Sequence, residues 1–411
     1  LHGEMRVEAN EDRRKTDQRV HRGDQLGHLG HLDLLGDVPA DGATGRDLAE
    51  SISSGLARAA LAVEVDGEVR DLDRPLPDGA TVAILTWDAD GGKQVHGRGA
   101  DWILKGEALK AAQDDAARLA VRDQERAGVD IISDGEQRRK SYLTYVTMQF
   151  DGYDYENLVE KVTRAGRRTA EVGQCVGEVR RTRPILEDEL RFTQSITDLP
   201  VKITLPGPLS VVDSTHDAYY GDERTYGLAV AAALNVEAKA LDTLGPALIQ
   251  FDEPAFSRYP EKVKEWGIDA IERAIDGVQS KTGVHICFSY PMPGVPRPIV
   301  DSYPVILREL EGSSVDQLSL EFEMSELDPE LLELCPSKTV MFGCISNGTE
   351  EIERPEHVAD KLLAAAHHLP ADQILAAPDC GLVPVSQAAS RGKLSVMVEG
   401  AHLARRRVGA G

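Results

Sequence analysis

Short apolar runs alternate with amphipathic segments along most of the chain. Between about residues 96 and 405, seven runs of strand-forming residues end in glycine, proline or acidic residues: VDIISDGE, VKITLPGP, ALIQFDEP, VHICFSYP, DQLSLEFE, TVMFGCIS and QILAAPDC. Segments of helical periodicity such as YGLAVAAALNVEAKALDTLG separate most of them. This rhythm over about 300 residues predicts a parallel sheet closed into a (β/α)8 TIM-type barrel. Seven runs are one fewer than a closed barrel needs, so a barrel lacking its first strand is an alternative.

A smaller block with a different pattern precedes the predicted barrel, which we place at residues 96–405. Residues 36–93 predict a helix, two strands joined by an Asp-Gly pair, and a final strand. Thr44 and Asp47 are candidate caps of the helix, and Asp-Gly between alternating apolar residues is a strong hairpin signal. The polar residues 1–35 predict a poorly ordered arm.

Composition and charge exclude several classes of protein. The net charge of -23 repels phosphate, which argues against a nucleic-acid-binding protein. The chain has no apolar stretch of about 18 residues and begins without the apolar core of a signal peptide, so we expect a cytoplasmic protein. Its five cysteines then indicate free thiols, available for metal binding or catalysis, rather than disulfides.

Candidate functional groups gather where the predicted strands end, which is where the active sites of such barrels lie. His285 and Cys287 are two residues apart, so their side chains share one face of a strand. Such a pair is either part of a buried core or two ligands of one metal ion. Glu321 and Cys380 follow later strands, and one histidine, one carboxylate and two thiolates are a donor set typical of zinc. Zinc deprotonates a bound thiol, which predicts S-alkylation chemistry.

Other strand ends carry carboxylates whose roles the spacing leaves open. Glu136, Asp252 and Glu253 are candidates for substrate binding or catalysis, and the alternative is that they cap helices or satisfy the core. Spacing alone does not distinguish Glu321 from Glu323 as the metal ligand. Three cysteines are better explained as buried or unpartnered small residues: Cys175, Cys335 and Cys344.

Taken in order, six motifs resemble the catalytic barrel of cobalamin-independent methionine synthase: DIISDGEQRRKSY, VKITLPGP, IQFDEPAF, VHICFSYP, LSLEFE and ILAAPDCGL. They are most similar to the short single-barrel relatives, which include epoxyalkane:coenzyme M transferase. The resemblance covers about residues 101–402 and selects Glu321 over Glu323. It implies a zinc ion with four ligands: His285, Cys287, Glu321 and Cys380.

The same resemblance implies roles for the remaining carboxylates. Glu136 and Asp252 fall where this family binds the amino group of homocysteine, so we predict both as catalytic and substrate-binding residues. We predict Glu253 as a further substrate-binding residue. In the N-terminal block, GRDLAESISSGLARAALAVEVDGEVRDL resembles the TGS domain, a small β-grasp module of threonyl-tRNA synthetases. Nothing downstream resembles the other domains of such a synthetase, so this module does not imply aminoacylation.

The chain departs from the family pattern in three places. SNGTEE, with Gly348, replaces the histidine thought to serve in proton transfer. The tryptophan expected after the PGP motif for folate contact is missing from LSVVDSTHDAYYGD. The opening Gly-Ser-aromatic-Pro strand is absent, and GGKQVHGRGA stands before DWIL. The missing tryptophan leaves the methyl donor open.

The sequence therefore predicts a zinc-dependent methyltransferase that transfers a methyl group from a folate-type donor to the thiol of homocysteine to give methionine. One alternative is alkyl transfer to another thiol, of the coenzyme M type, whose sulfonate would need a basic partner such as the QRRK segment after Glu136. A second alternative is a non-catalytic fusion in which the TGS-like module contacts a ligand or RNA. The predicted partners are a small-molecule thiol and a methyl donor, with no membrane partner.

Overall fold

The computed structural model describes residues 43–52, 57, 60–65, 68–70, 72, 74–77, 82–86, 104–139, 141–290, 297 and 299–409. These residues form two compact units, one up to Ala112 together with Arg139 and Ser141, and one that contains the rest. Three predicted features lie outside the described residues: the arm at 1–35, the domain junction between residues 93 and 96, and the segment GGKQVHGRGA at the place of the first strand. The predicted domain boundaries therefore stay predictions.

The described residues from 43 to 86 contain one helix and a three-stranded sheet in the predicted order. The elements are α1 Gly45–Ile52, β1 Ala60–Val65, β2 Glu68–Arg70 and β3 Val82–Thr86. The strands are antiparallel in the order β2-β1-β3, and Val65 pairs with Glu68, as a two-residue hairpin connection requires. The helix and sheet enclose a small apolar core: Leu48, Val63, Val65, Leu72, Leu76 and Val82.

Thr44 and Asp47 cap α1 together, whereas the sequence predicted each of them as a separate candidate cap. Thr44 Oγ1 accepts a hydrogen bond from Asp47 N at 3.2 Å, and Asp47 Oδ2 accepts one from Thr44 N at 2.8 Å. This reciprocal pair satisfies backbone N–H groups that have no partner inside the helix.

A parallel sheet forms the centre of the second unit. Its six strands are β6 Lys202–Pro206, β8 Leu248–Asp252, β9 Thr282–Ile286, β10 Gln317–Leu320, β11 Thr339–Ile345 and β12 Ile374–Pro378. They are arranged in the order β12-β11-β10-β9-β8-β6, and Ile132 extends the sheet through a parallel bridge to Val201. All seven predicted runs therefore contribute to one parallel sheet. Among the described residues, no strand pairs with the outer edge of β12.

Helices connect the parallel strands and cover the sheet, which gives the chain the predicted TIM-type barrel fold. They are α2 Gly106–Ala127, α3 Glu187–Ser195, α4 Pro208–Ser214, α5 Glu223–Asp242, α6 Ile268–Ile275, α7 Tyr303–Glu311, α8 Pro355–Ala365 and α9 Gln387–Val408. α5 shows why such segments form: Asp222 caps it by accepting from Thr225 N at 2.7 Å, and Tyr226, Val230 and Leu234 recur every fourth residue on its buried face. No helix within the described residues is long and apolar enough to cross a membrane.

A long hairpin, which the sequence analysis did not predict, lies between the Ile132 strand position and β6. β4 Asp151–Thr163 and β5 Arg168–Arg180 pair antiparallel, and β7 His216–Asp217 adds a short parallel strand to β5. Many of the hairpin residues are exposed, so the apolar alternation that marks a half-buried strand is weak.

Candidate active site

His285 and Cys287 lie at the end of β9, and both side chains are buried. His285 Nδ1 is 3.0 Å from Ser319 Oγ on the neighbouring strand β10. His285 Nε2 is also buried and has no hydrogen-bond partner among the described residues. A buried polar atom without a partner destabilises the fold unless a ligand satisfies it. The contact with Ser319 thus orients the ring and leaves Nε2 for a ligand.

Cys380 follows β12 and completes a three-residue group with this pair. Its Sγ is 3.7 Å from Cys287 Sγ, and the ligand atoms of His285, Cys287 and Cys380 all lie within 4.8 Å of one another. Tetrahedral zinc with bonds of about 2.0–2.3 Å sets its ligands about 3.3–3.8 Å apart. The spacing, the unpartnered Nε2 and the two thiols therefore fit a metal ion.

Electrostatics in this group favour a thiolate. The hydrogen bond between the two thiols lowers the pKa of Cys287 well below its usual range and raises that of Cys380. Burial by itself lowers the pKa of His285, but the nearby Cys287 and Asp252 raise it overall. A metal ion binds thiolates, so a group that already favours losing a thiol proton is suited to a metal.

Glu321, the predicted fourth ligand, follows β10 but is not part of the three-residue group. Its Oε2 accepts hydrogen bonds from Phe288 N at 2.9 Å and from Arg297, while its buried Oε1 has no partner among the described residues. Burial, followed by the nearby Cys287, raises the pKa of Glu321 to about 7. The structure thus leaves one Glu321 oxygen available near Cys287, and its role as a ligand stays a prediction.

Asp379 connects the strand ends that carry Glu321 and Cys380, and the sequence analysis missed it. Its carboxylate accepts hydrogen bonds at 2.7–3.0 Å from three successive backbone N–H groups: Phe322, Glu323 and Met324. The turn after Glu321 is thereby fixed to the residue before Cys380. Glu323 itself forms a hydrogen bond with His357 at 2.7 Å and an ion pair with Lys361 at 3.1 Å.

Asp252 ends β8 and takes part in a chain of polar contacts across the barrel interior. Its Oδ1 accepts from Gln250 Nε2 at 2.7 Å, and Gln250 Oε1 accepts from Lys202 Nζ at 3.1 Å. Burial raises the pKa of Asp252, opposed chiefly by the nearby His285. Lys202 is a half-buried lysine that the sequence analysis missed, because a single lysine in an apolar run carries no motif.

Glu136 contacts β6, the strand that carries Lys202. Its Oε1 accepts a hydrogen bond from Thr204 on β6, and its backbone φ of 56° is unusual for a residue other than glycine. Burial lowers the pKa of Lys202, and the nearby charges of Asp252 and Glu136 oppose that shift. The two predicted substrate carboxylates therefore share one electrostatic environment.

Two tyrosines near the thiols were also missed. Tyr290 hydrogen-bonds Cys380, and its pKa is raised first by burial and then by the charge of Cys380. Burial also raises the pKa of Tyr142, with further contributions from Asp252 and Cys287. Tyr142 therefore lies near both the Asp252 carboxylate and the Cys287 thiol.

Glu253, predicted to bind substrate, occupies a different environment from Asp252. Its carboxylate is fully buried and accepts hydrogen bonds from Leu209 N at 2.8 Å, from Ser210 N at 2.9 Å and from Ser210 Oγ at 2.8 Å. A Cβ atom at Gly207 would lie 2.2 Å from the carboxyl carbon of Glu253, so the start of the helix packs directly on the Glu253 side chain. Glu253 thus caps the N-terminus of α4, and its carboxylate oxygens stabilise the fold by accepting these hydrogen bonds.

We expect Glu253→Gln to lower the free energy of unfolding by about 2 kcal/mol, since an amide N–H₂ would face a backbone donor. The Michaelis constants for both substrates should change less than about twofold, because the Glu253 carboxylate contacts the start of α4 and not the substrate. Urea denaturation and steady-state kinetics on the same preparation measure the two effects. A large increase in one Michaelis constant at unchanged stability would instead support the predicted role in substrate binding.

Comparison with known proteins assigns the barrel to a family. Residues 99–403 match the model of the cobalamin-independent synthase catalytic domain, and residues 36–86 match that of the TGS domain. The chain belongs to the cobalamin-independent methionine synthase family. It is therefore an enzyme of the methyltransferase class, which favours catalysis over the alternative of a non-catalytic fusion.

Individual relatives of the methionine synthase family match over most of their length. The methionine synthase of Sulfurisphaera tokodaii is 29% identical over 303 residues, which are 74% of this chain and 85% of that protein. That of Saccharolobus islandicus is 30% identical over 74% of this chain and 87% of its own length. A solved B12-independent methionine synthase from Shewanella sp. W3-18-1, in complex with selenomethionine, is 36% identical with a TM-score of 0.72, covering 76% of this chain and 93% of that one.

Proposed function

We propose that this protein is a zinc-dependent methyltransferase that transfers a methyl group from a folate-type donor to the thiol of homocysteine. The observation that carries the proposal is the buried Nε2 of His285, which has no partner among the described residues and lies beside two thiols 3.7 Å apart. Family membership supports methyl transfer, and the donor set supports zinc.

The residues that would hold zinc are His285, Cys287 and Cys380, with Glu321 as the proposed fourth ligand. A zinc ion at this site supplies Lewis acidity, which lowers the pKa of a thiol substrate. Ser319 orients the imidazole ring by its contact with Nδ1 at 3.0 Å. Asp379 holds the turn after Glu321 in register with the Cys380 strand end.

Glu136 and Asp252 are proposed to bind the ammonium group of the acceptor. Two carboxylates against one Lys202 leave an excess negative charge in this part of the barrel, which suits a cationic group. The Shewanella relative was solved with selenomethionine, the selenium analogue of the expected product, so a bound amino acid has precedent at 36% identity.

The coenzyme M alternative predicted a basic partner for the sulfonate in the QRRK segment. Arg138 of the QRRK segment forms an ion pair with Asp114 and lies over the ring of Phe192 at 4.4 Å. The Arg138 guanidinium is therefore already paired within the protein. The carboxylates near Lys202 favour a thiol substrate that carries an amino group.

The direct test is methionine formation by the zinc-loaded protein from homocysteine and 5-methyltetrahydrofolate, with mono- and triglutamate forms of the donor compared. His285→Ala serves as the control for metal dependence. Growth rescue of a methionine auxotroph tests the same activity in cells. Absence of methionine with either donor, in protein that holds zinc, would disprove the folate assignment, and absence with every methyl donor would disprove the acceptor.

A further inference from the structure

The tip of the β4–β5 hairpin is fixed in place by a small buried network. Arg164 and Ala165 at the tip both have φ of 54°, a conformation uncommon outside glycine. Arg164 N donates to Asp213 Oδ1 at 3.2 Å, and Ala165 N donates to the Tyr259 hydroxyl at 2.6 Å. The Tyr259 hydroxyl in turn donates to Asp213 Oδ1 at 2.8 Å. Hydrogen bonds thus hold a strained backbone in one position, as occurs at functional sites.

Arg258 extends this network towards the candidate metal ligands. Its side chain is 6% exposed and forms an ion pair with Asp213 at 3.1 Å. It also donates to Ser289 Oγ at 2.8 Å, two residues beyond Cys287. The buried Nε of Arg258 has no hydrogen-bond partner among the described residues. One donor of a buried guanidinium beside the strand end is therefore unsatisfied.

The Arg164 side chain adds a second positive charge that the protein does not balance. It is half-buried and has no ion-pair or hydrogen-bond partner within the part of the chain that the structure describes. The pKa of Arg164 is lowered, first by burial and then by the positive charge of Arg258. Two guanidinium groups beside the single carboxylate of Asp213 make this a region of excess positive charge, which an anion would stabilise.

Tyr142 lies near charged groups of both the cationic region and the carboxylate region. Its pKa is raised by burial and then by Asp252 and Cys287, while Arg258 lowers it. Tyr142 in turn raises the pKa of Arg164. An α-amino acid carries its ammonium and carboxylate on the same carbon atom, so a site that binds it needs neighbouring regions of opposite charge. Asp252 and Arg258, which both act on Tyr142, carry such opposite charges.

We propose that Arg164 and Arg258 bind the α-carboxylate of the amino-acid substrate, with Arg164 reaching it from the hairpin tip. This inference rests on the proposed function, in which Glu136 and Asp252 bind the ammonium of the same molecule. Arginine suits the role because its planar fork can donate two parallel hydrogen bonds to a carboxylate. The hairpin is then part of the substrate site.

The test compares two ligands that differ only in the carboxylate: L-methionine and 3-(methylthio)propan-1-amine. Calorimetry on the full-length, zinc-loaded protein gives both dissociation constants without turnover. We expect Arg164→Gln to weaken L-methionine binding about tenfold or more and to leave amine binding unchanged, as loss of a charge-assisted hydrogen bond predicts. Arg164→Lys should recover part of the affinity. Arg167→Gln, an exposed arginine of the same tip, is the matched control and should change neither constant.

Three results would overturn the inference. Unchanged L-methionine binding in Arg164→Gln would remove the arginine from the site. Equal weakening of both ligands would indicate an effect on the fold. If Arg164→Gln raised only the Michaelis constant for the methyl donor, the arginine would bind an anionic group of the donor and not the amino-acid carboxylate. Failure of the wild-type protein to bind either ligand would instead disprove the proposed function, and with it the basis of this inference.

Discussion

Replacement of Cys380 by serine is expected to remove most of the bound zinc and to lower methyl transfer about 10³-fold. Cys380 Sγ lies 3.7 Å from Cys287 Sγ, within the group whose ligand atoms are all within 4.8 Å of one another. A serine hydroxyl is a poor ligand for zinc beside a thiolate and an imidazole. Lewis acidity contributes several kcal/mol to such reactions, and each 1.4 kcal/mol is about a factor of ten in rate.

Metal content by mass spectrometry and methyl-transfer rates measure this effect in one preparation. Cys335→Ala is the matched control, because Cys335 is fully buried and its thiol contacts the carbonyl of Leu332 at 3.6 Å. It should retain zinc and activity even if it loses some stability. A Cys380→Ser protein that keeps stoichiometric zinc and wild-type activity would exclude Cys380 from the metal site.

The second large effect is expected for Asp252→Asn, which should lower kcat/KM for homocysteine about 10–100-fold. The substitution keeps the shape of the side chain and removes the charge that is proposed to bind the substrate ammonium. A charge-assisted hydrogen bond contributes about 1.5–3 kcal/mol, which corresponds to this range. Most of the change should appear in the Michaelis constant for homocysteine, with little change for the methyl donor.

Steady-state kinetics with each substrate varied in turn measures the two constants separately. Asp276→Asn is the control, since Asp276 is an exposed aspartate whose side chain lies 3.5 Å from Lys239. Equal increases in both Michaelis constants would point to a general loss of structure. An unchanged constant for homocysteine would place the ammonium elsewhere.

Much of the fold followed from local patterns. All seven predicted apolar runs contribute to the parallel sheet. Most of them are buried along nearly their whole length, and such a run has few alternatives to an interior strand. Thr44 and Asp47 are three residues apart, so the helix cap they form depends only on local geometry. The hairpin β4–β5 was not predicted, because many of its residues are exposed and apolar and polar residues do not alternate clearly along its strands.

The candidate site shows the limit of such reasoning most clearly in two adjacent residues. Asp252 and Glu253 both stand at the end of β8, and the sequence favoured substrate binding for each. The structure places Asp252 with Gln250 and Lys202, whereas Glu253 accepts hydrogen bonds from the first turn of α4. Neighbouring residues of a strand point to opposite sides, and only the packing around the strand decides what each side contacts.

The sequence by itself determined that His285 and Cys287 share a strand face, because side-chain direction in a strand repeats every two residues. Tertiary structure alone decided which distant groups join them. Cys380 meets Cys287 across 93 residues of chain, and Ala165 meets Tyr259 across 94. Such contacts depend on the order of strands and the placement of a hairpin, which no local periodicity records. The pair proposed as metal ligands could therefore be predicted from sequence, whereas the arginines proposed to bind the substrate carboxylate emerged only from the packed structure.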